Sequence, residues 1–275
     1  MSNNKLNDVV LLELVNDVAI IRLNRPAQLN AFDVPTARRF NEVIAQAEED
    51  ATVKAVIITG NGRGFCAGFD LKAVSASGQY PKQADMLQHF DDVLNATVRR
   101  IQDMTKPVVM AINGIAAGAG VGLALAGDVI LMSETASFRL VFLPQLGIAP
   151  DMGGSWFLPR ILGRAKALEI LFTGRPISAE DALQWSMVAS VHAADKLQEK
   201  ALSLATNMAK GSTESFYLVR KMVDQSFTNS LDQQLDLERD LNAQLTASAV
   251  FEEGVQAFIH QRKPDFSDKT TDAIR

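Results

Sequence analysis

The 275-residue sequence predicts an α/β fold followed by a helical C-terminal part. Three observations predict it. Short β-branched apolar runs alternate with helical stretches through the first two-thirds of the chain, the pattern of an α/β core with a largely parallel sheet. After about residue 193 strand signals vanish and only helical stretches follow. Apolar types make up 47% and charged types 21%, the balance of a globular protein with material for a large core. The division falls near residue 195, giving an α/β core over 1–195 and a helical region over 196–275.

The elements follow in order. Residues 9–15 and 18–23 are β-rich and separated by the turn pair Asn16-Asp17, which predicts a hairpin. Residues 29–50 are helical, with Ala37, Phe40, Val43, Ile44 and Ala47 on one stripe. Residues 53–59 read as a strand buried on both faces. A glycine-rich loop occupies 60–68, a small and polar loop 72–78, and helical spacing returns over 81–104. Residues 106–112 and 129–133 are strands, and 117–126 is a helix of small side chains. Helical stretches at 196–210, 213–226, 231–245 and 249–261 complete the chain, with no internal repeat.

Residues 107–127 contain no charge, close to the ~20 residues that span a bilayer. Pro107, Asn113 and the glycines at 114, 118, 120, 122 and 127 favour a buried strand, a turn and a buried helix instead. Lys plus Arg number 27 against 32 Asp plus Glu, a net charge of −5, so neither nucleic acid nor an anionic membrane is an expected partner. One cysteine, Cys66, excludes an internal disulfide. The dispersed histidines His89, His192 and His260 argue against a metal site. The N-terminal MSNNKLNDVV lacks a signal-peptide pattern, so the expected compartment is the cytoplasm.

Two loops place closely spaced glycines after apolar β-runs: residues 60–70 and residues 113–122. Glycine allows the close approach and positive φ that turn amide N–H groups outward, and the second loop also opens a helix. Such amides hold either a phosphate or a developing oxyanion. No GxxxxGK[ST] is present, and neither loop fits GxGxxG in a strand-turn-helix frame. Gly114 to Gly120 has the GxxxGxG form of short-chain reductases, and Tyr217 with Lys221 supplies a YxxxK. That glycine motif begins after 110 residues, however, and Tyr217 shares an apolar stripe with Phe216 and Met222.

The oxyanion reading gains from further motifs. Ile21-Arg22-Leu23-Asn24-Arg25-Pro26 with Leu29-Asn30-Ala31, the run from Arg63 to Leu71, the run from Asn113 to Ala124, Phe172-Thr173-Gly174 with Ile177-Ser178-Ala179, and Glu253-Gly254 with Lys263-Pro264-Asp265-Phe266 follow one another in this order. Together they resemble the crotonase, or enoyl-CoA hydratase/isomerase, superfamily over nearly the whole chain. The resemblance implies a spiral of ββα units, C-terminal helices that build a homotrimer or a dimer of trimers, and an acyl-CoA thioester as substrate, with no cofactor beyond the coenzyme A it carries. It implies oxyanion donors at the amides of Phe69 and Ala119. It implies coenzyme A or substrate contacts from Ala67, Gly68, Asp70 and Leu71, from Arg25 with Arg63, Lys72 and Lys263 as cations for the phosphates, and from Phe258.

The family's hydratases resemble one another in using two glutamates. The first position falls here on Gly122 and the second near Leu143, in a segment one residue longer than usual. The next acid is Asp151, similar in position to the single acid of the enoyl-CoA isomerases and to the nucleophile of a dehalogenase branch. Trp156 lies on the wrong side of Asp151 for the dehalogenase. A lone carboxylate in an apolar pocket suits a base; the same residue also suits a helix N-cap. The expectation is a double-bond isomerase working through Asp151, the alternatives being a single-acid hydratase or a non-catalytic acyl-CoA binder. Cys66 reads as a packed thiol and His192 as structural.

Overall fold

The structure, a computed structural model, describes residues 8–77 and 82–266. Gly78 and Pro81, at the edges of the predicted loop and helix, lie outside the described residues.

Strands β1 (Val10–Val15) and β2 (Val18–Leu23) form the predicted antiparallel hairpin, with Asn16 taking the positive φ of 54° that its turn needs. Helix α1 (Val34–Glu49) is started by Asp33, whose carboxylate accepts the Thr36 amide at 2.8 Å. Its buried face is the predicted stripe of Ala37, Phe40, Val43, Ile44 and Ala47, with Thr36 added. Strands β3 (Ala55–Gly60) and β4 (Gly64–Cys66) follow. Residues 72–78 were expected as a loop, but Leu71–Ser77 is helix α2. The Asp70 carboxylate accepts the Ala73 amide at 3.1 Å and so caps the first turn of α2. Helices α3 (Gln83–His89) and α4 (Asn95–Asp103) are joined by a π-helical turn, Phe90–Leu94.

Strands β5 (Val108–Ile112) and β6 (Ile115–Ala117) lead into α5 (Ala119–Leu125), and β7 (Val129–Ser133) and β8 (Ser137–Arg139) lead through a second π-helical turn, Phe142–Leu146, into α6 (Gly154–Leu162) and α7 (Arg164–Thr173). The helix predicted from 117 therefore starts at 119, because Ala116 and Ala117 pair with Phe138 and Arg139 as a strand. All seven residues of α5 are buried, so the uncharged run is two strands with a turn between them and a core helix, one strand more than expected. Among the described residues no helix is long and apolar enough to cross a membrane. Strand β9 (Ile177–Ser178), α8 (Ala179–Gln184), β10 (Ser190–His192) and α9 (Leu197–Met208), α10 (Thr213–Ser226), α11 (Leu231–Thr246) and α12 (Ala249–Ile259) complete the chain.

The strands form two sheets, ordered β1-β2-β3-β5-β7-β10 and β4-β6-β8-β9. The pairs β3/β4, β5/β6 and β7/β8 each send one strand to each sheet, and within each sheet those strands run parallel. This is a structural repeat of ββα type without a repeat in the sequence. On β3, Val56 and Ile58 face the larger core between the sheets and α1, while Ala55 and Ile57 face α9 through Leu197, Ala201 and Ala205. Both faces are buried, which is why these strands read as unbroken apolar runs. The change of character near residue 195 is a change of secondary structure, and α9 beyond it still covers the first sheet. Arg220 on α10 anchors the later helices: its guanidinium holds the Asp128 carboxylate at 2.5 and 2.6 Å and donates to the Met104 and Lys106 carbonyls.

The second sheet brings the glycine loops together, because β4 pairs directly with β6. A Cβ on Gly114 would stand 2.0 Å from the Arg63 carbonyl oxygen, and one on Gly120 would stand 2.0 Å from that of Cys66. Backbone cannot give way by that amount without separating the two turns. Gly114→Ala and Gly120→Ala are each expected to lower stability by about 2 kcal/mol or more, read as a fall in the urea midpoint; an unchanged midpoint in either variant would show that the turns are not locked by contact.

Candidate active site

The site grows from the junction of the two glycine turns. The first turn is fixed by two asparagines from elsewhere in the chain. Asn30 donates to the Gly64 and Asn61 carbonyls at 2.7 and 3.0 Å and accepts the Arg25 amide at 2.8 Å. Asn113 donates to the Gly62 and Gly64 carbonyls at 3.0 and 3.1 Å and accepts the Gly60 amide at 3.0 Å. Beyond the turn, Phe32 and Phe69 form an isolated parallel bridge, with the Phe32 amide donating to Gly68 and the Asp70 amide donating to Phe32. In a parallel ladder the residue between those bonds points its own N–H the other way, so the Phe69 amide faces away from Phe32. Gly68 makes this possible with a φ of +84°, and a Cβ there would stand 3.1 Å from the Ala119 nitrogen.

Ala119 is the first residue of α5, where an amide has no acceptor inside the helix. Neither the Phe69 nor the Ala119 amide has a hydrogen-bond acceptor among the described residues. The structure thus brings both predicted donors to one junction and leaves both unspent. Two such amides suit an oxygen that gains negative charge.

Asp151 packs against the same helix, its carbonyl oxygen 3.0 Å from where a Cβ on Gly122 would stand. It lies close enough to Cys66 for its charge to oppose thiolate formation, and burial is the larger cause that pushes the Cys66 thiol up to about 12. Cys66 is a fully buried, inert thiol, as expected. Asp151 Oδ1 is buried without a hydrogen-bond partner. Burial pushes the Asp151 carboxyl up to about 6, partly offset by its own backbone amide. The helix-cap reading is not realised: α6 is capped at Gly153 without any side-chain hydrogen bond. Met152, the next residue, is buried and held at a φ of +46°, a backbone strain of the kind found at functional sites.

Gly122 explains the missing glutamate in steric terms. A Cβ there would stand 2.6 Å from the Met152 carbonyl oxygen and 3.0 Å from that of Asp151. The 151–152 backbone occupies the space a side chain at 122 would need. Leu143 is half exposed within the π-helical turn Phe142–Leu146. A π-helical turn accommodates one extra residue, which matches the segment read as one residue too long.

The predicted coenzyme contacts divide. Arg25 is pinned, its guanidinium on Asp70 at 3.0 Å, on Asp33 at 3.1 Å and on the Ala31 carbonyl at 2.6 Å. Asp70 is buried by the same contacts. Both therefore brace the first turn. Ala67 and Gly68 are in the turn itself, Leu71 is half exposed beside it, and Arg63 and Lys72 are exposed nearby. Phe258 is 85% exposed on α12 and lines an apolar cleft with Leu245, Phe251 and Phe266, apart from the glycine turns; Lys263 is exposed beyond it. A separate groove of about 360 Å³ runs between α6 and α10, lined by Trp156, Arg160 and Phe227 and by neither glycine turn. The YxxxK pair is structural, with Lys221 near the Tyr217 ring and bonded to Asp103 at 2.5 Å. His192 bonds Ser190 at 2.8 Å. Among the described residues no cluster could hold a metal ion.

Sequence reasoning missed His89. Its ring packs on the Phe69 ring at 5.7 Å, and its Nε2 is buried without a partner. No spacing signal relates residues so far apart in the chain.

The profile of the enoyl-CoA hydratase/isomerase family matches residues 13–269. The chain is 39% identical over 264 residues to the 1,2-epoxyphenylacetyl-CoA isomerase of Escherichia coli, covering 95% of this chain and 99% of that one. It is 34% identical to the 2,3-dehydroadipyl-CoA hydratase of the same organism, covering 92% and 96%. The crystal structure of an enoyl-CoA hydratase from Bacillus anthracis matches with a TM-score of 0.86 at 30% identity, covering 94% and 98%.

Two outcomes follow from this geometry. The Asp151 carboxyl titrates near 3.8 when unfolded and about 6 when folded, so between those values the folded state binds more protons and stability falls as pH rises. Asp151→Asn is therefore expected to melt higher than the parent at pH 7, with the gap closing below pH 4; a lower melting temperature at pH 7 would contradict the buried, unpartnered charge. Gly122→Glu is expected to lower the melting temperature without raising water addition to a 2-enoyl thioester; a gain in hydration would show that the 151–152 backbone leaves room after all.

Proposed function

The chain belongs to the enoyl-CoA hydratase/isomerase family, and from that premise we propose that it is a double-bond isomerase of acyl-CoA thioesters, with Asp151 as its single base. The observation that carries this reading is the lone carboxylate. Asp151 Oδ1 is buried without a partner and its carboxyl is raised, its backbone packs against the helix that Ala119 opens, and Gly122 has no room for a second acid.

The thioester oxygen of a 3-enoyl-CoA accepts hydrogen bonds from the Phe69 and Ala119 amides. Asp151 removes a proton from C2; the C–H electron pair enters the conjugated system and negative charge gathers on the thioester oxygen. Two fixed donors aimed at that oxygen stabilise the dienolate by a few kcal/mol. The protonated Asp151 returns its proton to C4, and the double bond comes to rest between C2 and C3. No water is consumed and no cofactor enters. A carboxyl that titrates about 6 is ionised at neutral pH, and is close enough to the operating pH to give the proton back. The 39% identity to a 1,2-epoxyphenylacetyl-CoA isomerase supports isomerisation of a coenzyme A thioester. The 34% identity to a hydratase keeps single-acid water addition as the competing activity.

We also propose that three copies assemble through the C-terminal helices, singly or as a dimer of trimers. Leu231, Phe258 and Ile259 are 74, 85 and 63% exposed, an apolar surface of the kind that marks an interface. Light scattering is expected to return the mass of three or six chains, and a monomer would refute the assembly.

With 3-hexenoyl-CoA and 2-hexenoyl-CoA as substrates, the parent is expected to isomerise the first far faster than it hydrates the second. Asp151→Asn is expected to lose isomerisation by about 100-fold or more while still binding coenzyme A thioesters. Hydration that survives in Asp151→Asn would refute the role of Asp151, and binding without turnover of either substrate would favour a non-catalytic binder. Because the base must be ionised, kcat/KM is expected to fall about tenfold per pH unit below about 6 and to level off above it. A pH-independent rate between pH 4 and 8 would exclude Asp151 as the group that titrates.

A further inference from the structure

Buried polar atoms are almost always paired, so each exception asks for a partner. Two side-chain atoms stand out around this site, Asp151 Oδ1 and His89 Nε2. The proposed mechanism uses the first and leaves the second without a role. His89 closes α3 where it passes into the π-helical turn Phe90–Leu94, and such turns are frequent at functional sites. Its ring stands 5.7 Å from the ring of Phe69, tilted by 54°. The residue whose amide is offered to the thioester oxygen therefore carries on its other end a side chain in contact with this imidazole.

Resting on the acyl-thioester reading above, we propose that His89 is a specificity-determining residue whose Nε2 hydrogen-bonds an oxygen atom on the acyl chain, so that the preferred substrates are oxygen-substituted acyl thioesters rather than plain hydrocarbon ones. His89 is the histidine between residues 72 and 104, and its contact with the Phe69 ring sets it beside the thioester end of the proposed substrate. Burial, with Arg38 nearby, holds the imidazole below its usual titration range. It is neutral at pH 7, and Nε2 serves as donor or acceptor according to the tautomer. A hydrocarbon chain leaves Nε2 buried and unpaired, whereas a hydroxyl, carbonyl or ether oxygen at the right carbon satisfies it. Discrimination by an unmet polar atom exceeds what apolar contact alone supplies.

The test is calorimetric binding of saturated thioesters to the intact protein: hexanoyl-CoA against hydroxy- and oxo-hexanoyl-CoA with the oxygen moved from the fourth to the sixth carbon. The parent is expected to bind at least one oxygenated member about tenfold more tightly than hexanoyl-CoA. His89→Phe, which keeps an aromatic ring against Phe69, is expected to erase that preference and to bind hexanoyl-CoA no more weakly than the parent does. Equal affinity across the series for the parent would overturn this inference and leave the thioester reading standing, whatever the variant does. A preference retained in His89→Phe would also overturn it. Failure of every thioester to bind would overturn the reading of the site and this inference with it.

Discussion

The structure depends on one contact, that of the second glycine turn against the backbone of the first. Gly120 presents its bare Cα to the Cys66 carbonyl, at a separation that leaves no room for a side chain. Three consequences follow. The short strands β4 and β6 pair, which starts the second sheet. Helix α5 begins directly against that strand and is buried throughout. The two amides that neither the sheet nor the helix consumes, at Phe69 and Ala119, are left at one junction. A site built from main-chain donors needs the backbones themselves to approach, and only glycine permits that.

Around this contact the polar side chains of the opening motifs support the backbone. Asn30 and Asn113 grip the carbonyls of the first turn from either side. Arg25, partly buried, and Asp70, buried, form an ion pair that holds the segment after β2 to the start of α2. Removing one partner of such a pair leaves an uncompensated charge, so these residues have a structural reason to be present whether or not a ligand touches them. Cations near a site are easily read as phosphate contacts. Arg25 shows how a tertiary carboxylate can claim one first.

The site itself carries strain and unmet polar atoms. Asp151 Oδ1 is buried without a side-chain partner, Met152 holds a left-handed backbone, and His89 keeps an unpaired nitrogen. Each lowers stability in the free protein. In water-accessible surroundings Asp151 would be an ordinary, weakly basic carboxylate, and burial is what raises it. The same packing that leaves Gly122 without room for a side chain, by seating the 151–152 backbone on α5, puts the one remaining acid near the junction.

Much of this was legible in the sequence, because it rests on local periodicity and on backbone needs that glycine reports directly. The hairpin around Asn16, the stripe from Ala37 to Ala47, the buried strands and the four late helices all follow from spacing, and the glycine loops marked the two turns. Two short segments differ from the expectation. A helix formed at Leu71–Ser77, capped by the adjacent Asp70 carboxylate, a local signal that the polar run masked, and residue 117 joined a strand because distant Arg139 lay beside it. The ββα repeat is spatial, so no sequence period announces it. Tertiary structure alone settled that Asp151 turns Oδ1 into the interior rather than capping a helix, that Arg25 is already paired, that the 151–152 backbone fills the space beside Gly122, and that His89 lies on Phe69. Those outcomes depend on which backbone occupies the space beside a residue and which charge arrives there first, and a chain read one window at a time carries no record of either.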